Sequence, residues 1–282
     1  MLRLRACQSL AAVALFAGLR IAAQPRPSAE EQAHMLEVAR DTALHYAQSL
    51  PDFVCNEMVR RSSAQNAAQI ADTLTIQLTY FGQQEKYKLL AVNGTPTSQS
   101  LESISGFVTG GEFGSVLFRI FDPMSAAEFH WKGWTTIAKR SAAVFTYRVE
   151  QANSHNILGY LTETGALRTA TVAHEGIVAL DSETSAVLRL TVVSVGIPKG
   201  FLVLSSTMSV DYGFTDVAGR EYLLPMRAES EMRRPPDTVM GRPYNVSAAD
   251  AQRVSRNLVT FVNYRKFTAD SNIVFDTDSK KK

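Results

Sequence analysis

The stretch DTLTIQLTYFGQQEKYKLLAVNGTP, residues 72–96, decides the fold class because its apolar side chains recur at every second position. Alternation of this kind with threonine and glutamine is typical of a strand that buries one face. The alternating apolar residues are Leu74, Ile76, Leu78 and Tyr80. A turn at Gly82 to Gln84 leads into a second apolar run, which ends at Asn93-Gly94, a dipeptide that tolerates positive φ. The stretch therefore predicts two antiparallel strands.

Similar strand-like segments continue along most of the remaining chain, and turn-forming residues such as Asp181-Ser182-Glu183-Thr184 separate them. A long antiparallel meander preceded by helical segments is typical of an α+β, mainly β fold. The further predicted strands are Glu128 to Trp131, Thr135 to Ala138, Ala142 to Val149, Leu167 to His174, Glu175 to Asp181, Ala186 to Val195, Ser205 to Phe214, Arg220 to Glu231 and Asn257 to Arg265.

Two helices are predicted to cover this sheet. Ser28 and Glu31 form a capping-box pattern at the start of the first helix, which Pro51 ends. Its apolar stripe is predicted at Leu36, Ala39 or Ala43, Ala47 and Leu50. A shorter helix is predicted at 112–121, ended by Asp122-Pro123. The predicted architecture is a curved antiparallel sheet with a leading N-terminal helix and a short covering helix.

The N-terminal segment has the layout of a secretory signal peptide. Arg3 and Arg5 precede an apolar run from Leu10 to Leu19, and the small residues Ala22 and Ala23 follow. The run is about half the roughly 20 residues that a membrane-spanning helix needs, so no permanent span is expected after cleavage. We therefore expect a signal peptide at 1–23, one β-rich domain at 24–276, a charged tail at 277–282, and a periplasmic or secreted protein.

Charge and cysteine content argue against a nucleic-acid-binding protein and against a fold stabilised by disulfides. Loss of Arg3, Arg5 and Arg20 with the signal peptide changes the formal net charge from +2 to −1, so no nucleic-acid partner is expected. Cys55 is then the one remaining cysteine, and no intrachain disulfide can form. Its thiol is expected to be either buried and unreactive or exposed and able to pair with another chain.

The motifs that usually carry chemistry are incomplete. His174-Glu175 begins like a zinc-protease motif, but Val178 stands where the second histidine is needed. The glycine-rich loop at 106–114 lacks the lysine and hydroxyl residue of a phosphate-binding loop, and no Gly-x-Ser-x-Gly elbow occurs. We expect no enzyme activity, no metal and no cofactor, with a hydrolase of dispersed active site as the least favoured alternative.

Aromatic residues are the strongest candidates for a functional site, since many of them fall within about thirty positions around the glycine loop and the short helix. One interpretation is core packing under a curved sheet. The other is a mobile cover over an apolar cavity, with glycine hinges and large contact areas. The second interpretation makes the following residues candidate ligand contacts: Phe107, Phe113, Leu117, Phe118, Phe121, Phe129, Trp131 and Trp134.

Several short motifs resemble known exported proteins. The segment GIVALDSETSAVLRLTVV at 176–193 is similar to a strand-turn-strand element of the LolA-like lipoprotein carriers, with the turn at Asp181 to Thr184 and Val187, Leu188 and Arg189 in the second strand. Four other segments resemble a family of uncharacterised exported bacterial proteins. They are NYRKFTADSNIVF at 263–275, PDFVC at 51–55, GEFGSVL at 111–117 and REYLLPMRAE at 220–229.

The resemblance to the LolA-like group implies an open half-barrel whose concave face is covered by helices and holds acyl chains. It implies an exported, non-enzymatic protein that binds an apolar ligand, such as a lipid or an acyl chain, or a protein partner on its curved sheet. A cell-envelope assembly or signalling module that acts through an exposed sheet edge is the alternative.

Overall fold

The computed structural model describes residues 24–62, 70–104, 111–161, 166–235 and 253–267. The predicted signal peptide and charged tail lie outside these residues, as does Phe107. The helices are α1 (Ala29–Ser49) and α2 (Ser115–Phe121). The strands are β1 (Phe53–Ser62), β2 (Ile70–Phe81), β3 (Gln84–Val92), β4 (Thr95–Pro96), β5 (Glu128–Ile137), β6 (Arg140–Val149), β7 (Ile157–Leu161), β8 (Leu167–Thr171), β9 (Ala173–Asp181), β10 (Val187–Val195), β11 (Ser205–Val217), β12 (Arg220–Arg234) and β13 (Arg253–Lys266).

Among the described residues, eleven strands form one curved antiparallel sheet that is not closed into a barrel. Their order is β4-β3-β2-β1-β13-β12-β11-β10-β9-β6-β5. One core cluster joins α1 and α2 to side chains from β2 at one end of the sheet through to β6 near the other. Two helices can touch so many strands only if the sheet bends around them, so they lie on its concave face. The predicted fold class is confirmed.

The stretch at 72–96 forms the predicted hairpin. Leu74, Ile76, Leu78 and Tyr80 are all buried on the concave face, as their alternation requires. Gly82 and Gln83 connect β2 to β3 with φ angles of 56° and 62°, which is the left-handed backbone of a two-residue hairpin turn. The local alternation and the turn residues thus set the same register.

Helix α1 begins with the predicted capping box. The Ser28 hydroxyl accepts a hydrogen bond from the Glu31 amide at 3.1 Å, and the Glu31 carboxylate accepts one from the Ser28 amide at 2.6 Å. The predicted apolar stripe is partly wrong, because Leu36, Ala47 and Leu50 are only half-buried. The residues that lie fully against the sheet are Met35, Ala39, Ala43 and Tyr46.

Helix α2 begins three residues later than predicted, because Gly114 has a φ of 127° and stands at its N-cap. A Cβ atom at Gly114 would lie 3.3 Å from Cδ1 of Tyr46. The glycine therefore lets the start of α2 approach α1 closely. Apolar positions along α2 then pack under the sheet, and Asp122 ends the helix as predicted.

Several predicted strand bounds differ from the structure, and β13 begins at Arg253, four residues before the predicted Asn257. The segments at 128–131 and 135–138 are one strand, β5, interrupted by a bulge between Trp131 and Gly133. The predicted break between His174 and Glu175 is absent, since β9 runs through both residues. Strand β8 instead pairs with β7 in a separate two-stranded sheet. Leu158 of β7 and Val172, the residue after β8, pack on Val203 and Met232.

Gly176 lets the neighbouring strands β9 and β10 approach each other closely on the concave face. A Cβ atom there would lie 2.0 Å from the Thr191 carbonyl oxygen, which already accepts a hydrogen bond from the Tyr147 hydroxyl at 3.0 Å. Gly159 in β7 has ordinary space, with its nearest neighbour at 3.5 Å. The two glycines therefore provide a matched pair of sites for substitution.

We predict that Gly176→Ala lowers the free energy of unfolding by about 3 kcal/mol, because the added methyl group must displace strand backbone. Gly159→Ala should change it by less than about 1 kcal/mol. Urea unfolding followed by circular dichroism measures both values. Equal effects of the two substitutions would contradict the close approach at Thr191.

Candidate functional site

The structure divides the predicted aromatic site residues into a buried group and a group nearer the surface. Phe113, Leu117 and Phe121 are buried in the main core. Phe113 packs against Phe53 and Phe261 at ring-centroid distances of 5.3 Å and 5.5 Å. Phe118 lies on the other side of α2 and is 46% exposed. The buried residues support the fold, and the sequence-predicted residues that remain half-buried are Phe129, Trp131 and Trp134.

Phe129, Trp131 and Trp134 lie together on the concave side of β5 and are half-buried. We call these three residues the aromatic rim. Phe129 stacks on Phe121 at 5.5 Å, and Trp131 meets Trp134 edge to face at 5.3 Å. The backing rings Phe145 and Tyr147 belong to β6 and are fully buried. The rim is thus a partly accessible extension of the aromatic core.

Local backbone geometry fixes the orientation of the rim. Between Trp131 and Trp134 the strand contains one extra residue, and Gly133 adopts a φ of 152°. This bulge keeps both indoles on the concave face although they are three positions apart. The Trp134 indole also donates a hydrogen bond to the Pro25 carbonyl at 2.8 Å, so the segment before α1 is fixed to this end of the sheet.

Strand β5 is also the terminal strand of the sheet, and the register shows which of its backbone groups lack a partner. The Ser182 amide bonds to the Ser141 carbonyl at 2.9 Å, so Ser141 points its backbone groups toward β9. The backbone groups of β6 point alternately toward β9 and toward β5, so those of Ala143, Phe145 and Tyr147 also point toward β9. The β5 residues opposite these four direct their amides and carbonyls away from β6. They are Phe129, Trp131, Trp134 and Thr136. No backbone hydrogen bond to these groups is formed within the described part of the chain.

A groove of about 360 Å³ lies on the convex face behind the rim. Its lining includes the apolar residues Ile137, Val144, Ile177 and Ala179, the cationic residues Lys132 and Arg189, and Trp134 of the aromatic rim. Arg189 is neutralised by a bidentate pair with Asp211 at 2.5 Å and 2.8 Å. The sequence analysis did not identify this groove, because strand alternation identifies the exposed side chains without showing which strands become neighbours.

A buried carboxyl on β1 was also missed. Glu57 is 5% exposed on the concave face, in the same alternating row as Phe53, Cys55 and Val59. Burial, with the nearby charges of Glu112 and Glu85, raises the pKa of Glu57 to about 8. The sequence signal was present, since a strict period of two from Phe53 places Glu57 inward and Met58 outward.

The structure also fixes the states of Cys55 and His174. Cys55 is a free, buried cysteine, and burial raises the pKa of its thiol. His174 is 1% exposed, and burial together with the charge of Arg119 lowers its pKa to about 4. Glu175 points to the opposite side of β9, where it pairs with Arg148 at 2.8 Å. His174 and Glu175 therefore cannot act on a common metal.

The part of the chain that the structure describes also bears on metal binding and on membrane crossing. In that part of the chain, no three histidine, cysteine or acidic side chains converge as metal ligands would. Neither of its helices combines the length and the apolar character required to cross a bilayer.

Comparison with known proteins gives matches to solved structures alone. No protein-family model and no curated protein matches the sequence. A LolA superfamily protein from Nitrosomonas europaea is 12% identical, with 84% of this chain and 93% of that chain covered at a TM-score of 0.38. A DUF1329 family protein from Desulfovibrio piger is 9% identical, with 83% and 94% covered at a TM-score of 0.39.

A putative outer membrane lipoprotein-sorting protein domain from Vibrio parahaemolyticus is 12% identical, with 83% and 92% covered at a TM-score of 0.37. The sequence motifs indicated a distant resemblance to the LolA-like group, and a LolA superfamily protein is among these matches. Identities and TM-scores this low assign neither a ligand nor a function.

We predict that Glu57→Gln removes a loss of folding stability that the wild type shows as the pH rises through the range between the two pKa values of Glu57. The folded state retains a proton that the unfolded chain releases above pH 4.5, so the stability of the wild type falls as the pH rises from about 5 to 8. Glutamine keeps the shape of the protonated side chain and cannot ionise. Between pH 5.5 and 8.5 the wild type should lose roughly 2–4 kcal/mol more than the variant.

Urea unfolding at the two pH values measures this difference. Glu37→Gln, on the exposed side of α1, is the matched control and should retain the pH dependence of the wild type. A Glu57→Gln variant with an unchanged pH dependence would show that Glu57 is ionised in the folded protein.

Proposed function

We propose that this chain is an exported, non-enzymatic binding protein that takes an apolar ligand, an acyl chain or a lipid, on the concave face of its sheet at the aromatic rim. The observation that carries the proposal is the half-buried state of Phe129, Trp131 and Trp134 beside fully buried rings. Large aromatic side chains that remain partly open to solvent provide contact area at a low cost in conformational entropy. The leader-like residues 1–23 support a place outside the cytoplasm.

The physical basis of binding would be removal of apolar surface from water. If an acyl chain covered about 200 Å² of apolar surface, burial at roughly 25 cal/mol per Å² would contribute about 5 kcal/mol before the costs of association. The rings behind the rim are buried and packed, so the surface needs little rearrangement to accept a ligand. Such a site holds its ligand by contact area and releases it without a chemical step.

A protein partner is the second candidate, and the unpaired backbone groups of β5 favour it. An extended segment could add to this edge and place alternate side chains on the rim. The opposite edge is less suited to this role, because the part of β3 that the two-residue strand β4 does not cover carries the exposed residues Lys86 and Lys88. Under both candidates the contact surface lies at the same end of the sheet.

Tryptophan fluorescence tests ligand binding directly, because the protein contains only two tryptophans and both belong to the rim. We predict that dibromostearate, whose bromine atoms quench indoles on contact, quenches the emission saturably. Phe129→Ala should weaken the apparent affinity roughly tenfold, because it removes one ring of the contact surface.

Phe118→Ala is the matched control, since Phe118 is exposed on α2 and lies outside the rim. It should leave the quenching curve unchanged. Quenching that does not saturate, or equal loss of affinity in both variants, would contradict a ligand site at the rim.

A further inference from the structure

The outer edge of β5 is self-complementary over the five residues Glu128, Phe129, His130, Trp131 and Lys132. Phe129 and Trp131 lie on the concave face and direct their free backbone groups outward. Glu128 and His130 therefore lie on the convex face. Lys132, at the bulge, lines the convex groove, and all three residues are exposed. An acidic and a basic side chain thus stand two positions on either side of His130.

A second copy of this edge can pair antiparallel about a two-fold axis at His130. The register pairs Phe129 with Trp131 of the second copy, and both residues have outward backbone groups, as a hydrogen-bonded pair requires. It also brings Glu128 opposite Lys132 of the second copy, once on each side of the axis. Opposite charges and aromatic pairs directly across strands are the arrangements that stabilise a sheet.

The charged residues of this edge are available for such pairing. In the described part of the chain, neither Glu128 nor Lys132 takes part in a salt bridge. Arg148, which lies across from Glu128 on β6, already pairs with Glu150 at 2.5 Å and with Glu175 at 2.8 Å. Glu128 is therefore available to pair with Lys132 of a second copy.

The geometry on either side limits the pairing to a short, closed contact. On one side, the bulge at Lys132 and Gly133 ends the regular part of β5. On the other side, the backbone turns at Ala126, which has a φ of 46° and lies just before the start of β5. A pairing about a two-fold axis uses the same edge of both copies, so the assembly closes at two. At the other end of the sheet β4 covers only Ala91 and Val92 of β3, and the part of β3 that β4 does not cover carries the exposed residues Lys86 and Lys88, which disfavour edge pairing.

We propose that two copies of this chain associate through β5, in the antiparallel register centred on His130. The pairing would place two aromatic rims side by side across the two-fold axis. It goes beyond the proposed ligand binding and does not depend on it, because the backbone pairing and the charge pairs need no ligand.

Sedimentation equilibrium over a range of protein concentrations tests the pairing. We expect a reversible monomer–dimer equilibrium for the wild type. Lys132→Glu and Glu128→Lys should each weaken it about tenfold, because each places like charges opposite one another twice. The double variant E128K/K132E should restore it. Lys199→Glu, an exposed change of the same charge elsewhere, should leave it unaltered.

A disulfide provides a second measurement. In this register the two His130 Cα atoms face each other at about 4.5–5.5 Å, within the range that a disulfide bridges. His130→Cys should form a linked dimer on mild oxidation, and Thr135→Cys, on the same strand beyond the bulge, should not. Cys55 is buried and does not interfere.

A wild type that remains monomeric at all concentrations would overturn the proposal. So would a double variant no better than the single ones, or equal disulfide formation at positions 130 and 135. Dibromostearate quenching measured in monomeric Lys132→Glu separates this proposal from ligand binding, since saturable quenching there would leave the ligand proposal intact whatever the state of association.

Discussion

Hydrogen bonds from buried tyrosine hydroxyls to backbone carbonyls hold the helices against the sheet, and the rest of the structure depends on them. Tyr46 on α1 donates to the Leu223 carbonyl of β12 at 2.7 Å, and Tyr80 on β2 donates to the Ala47 carbonyl at 2.8 Å. Tyr212 on β11 donates to the Glu112 carbonyl, just before α2, at 2.9 Å. Burial raises the pKa of these phenols, which keeps them protonated as donors. Ala47 lies in the last turn of α1, where carbonyls lack helical partners, so Tyr80 satisfies a group that burial would otherwise leave unpaired.

These bonds place the helices within the curve of the sheet, and they explain why the aromatic residues differ in exposure. Phe113 lies directly under the sheet and is buried, and Phe121 carries the packed core toward β5. Beyond Phe121, the rim residues of β5 have the core on one side and remain partly open on the other. The same strand ends the sheet, so its unpaired backbone and its half-open rings occur together. A ligand surface and a pairing edge are thus two consequences of one terminal strand.

The sequence predicted those features that depend on neighbours along the chain. The alternation at Leu74 to Tyr80 and the capping box at Ser28 are local patterns with one physical solution each, and the structure contains both. Long-range pairing could not be predicted, because no local pattern shows that β5 would be terminal or that β8 would leave the main sheet for β7. The aromatic residues between 113 and 134 were found as a group, but their division into core and rim depends on which of them α2 covers.

Photo-crosslinking with a diazirine-bearing fatty acid tests the central claim most directly, because the labelled residues can be located by mass spectrometry of the digested protein. If the half-buried aromatic residues at the end of the concave face are the binding surface, the label should be saturable by unlabelled fatty acid and should fall on Phe129 and Trp131, which do not line the convex groove. Label confined to the convex groove at Val144 and Ile177, or label that unlabelled fatty acid does not displace, would contradict the account.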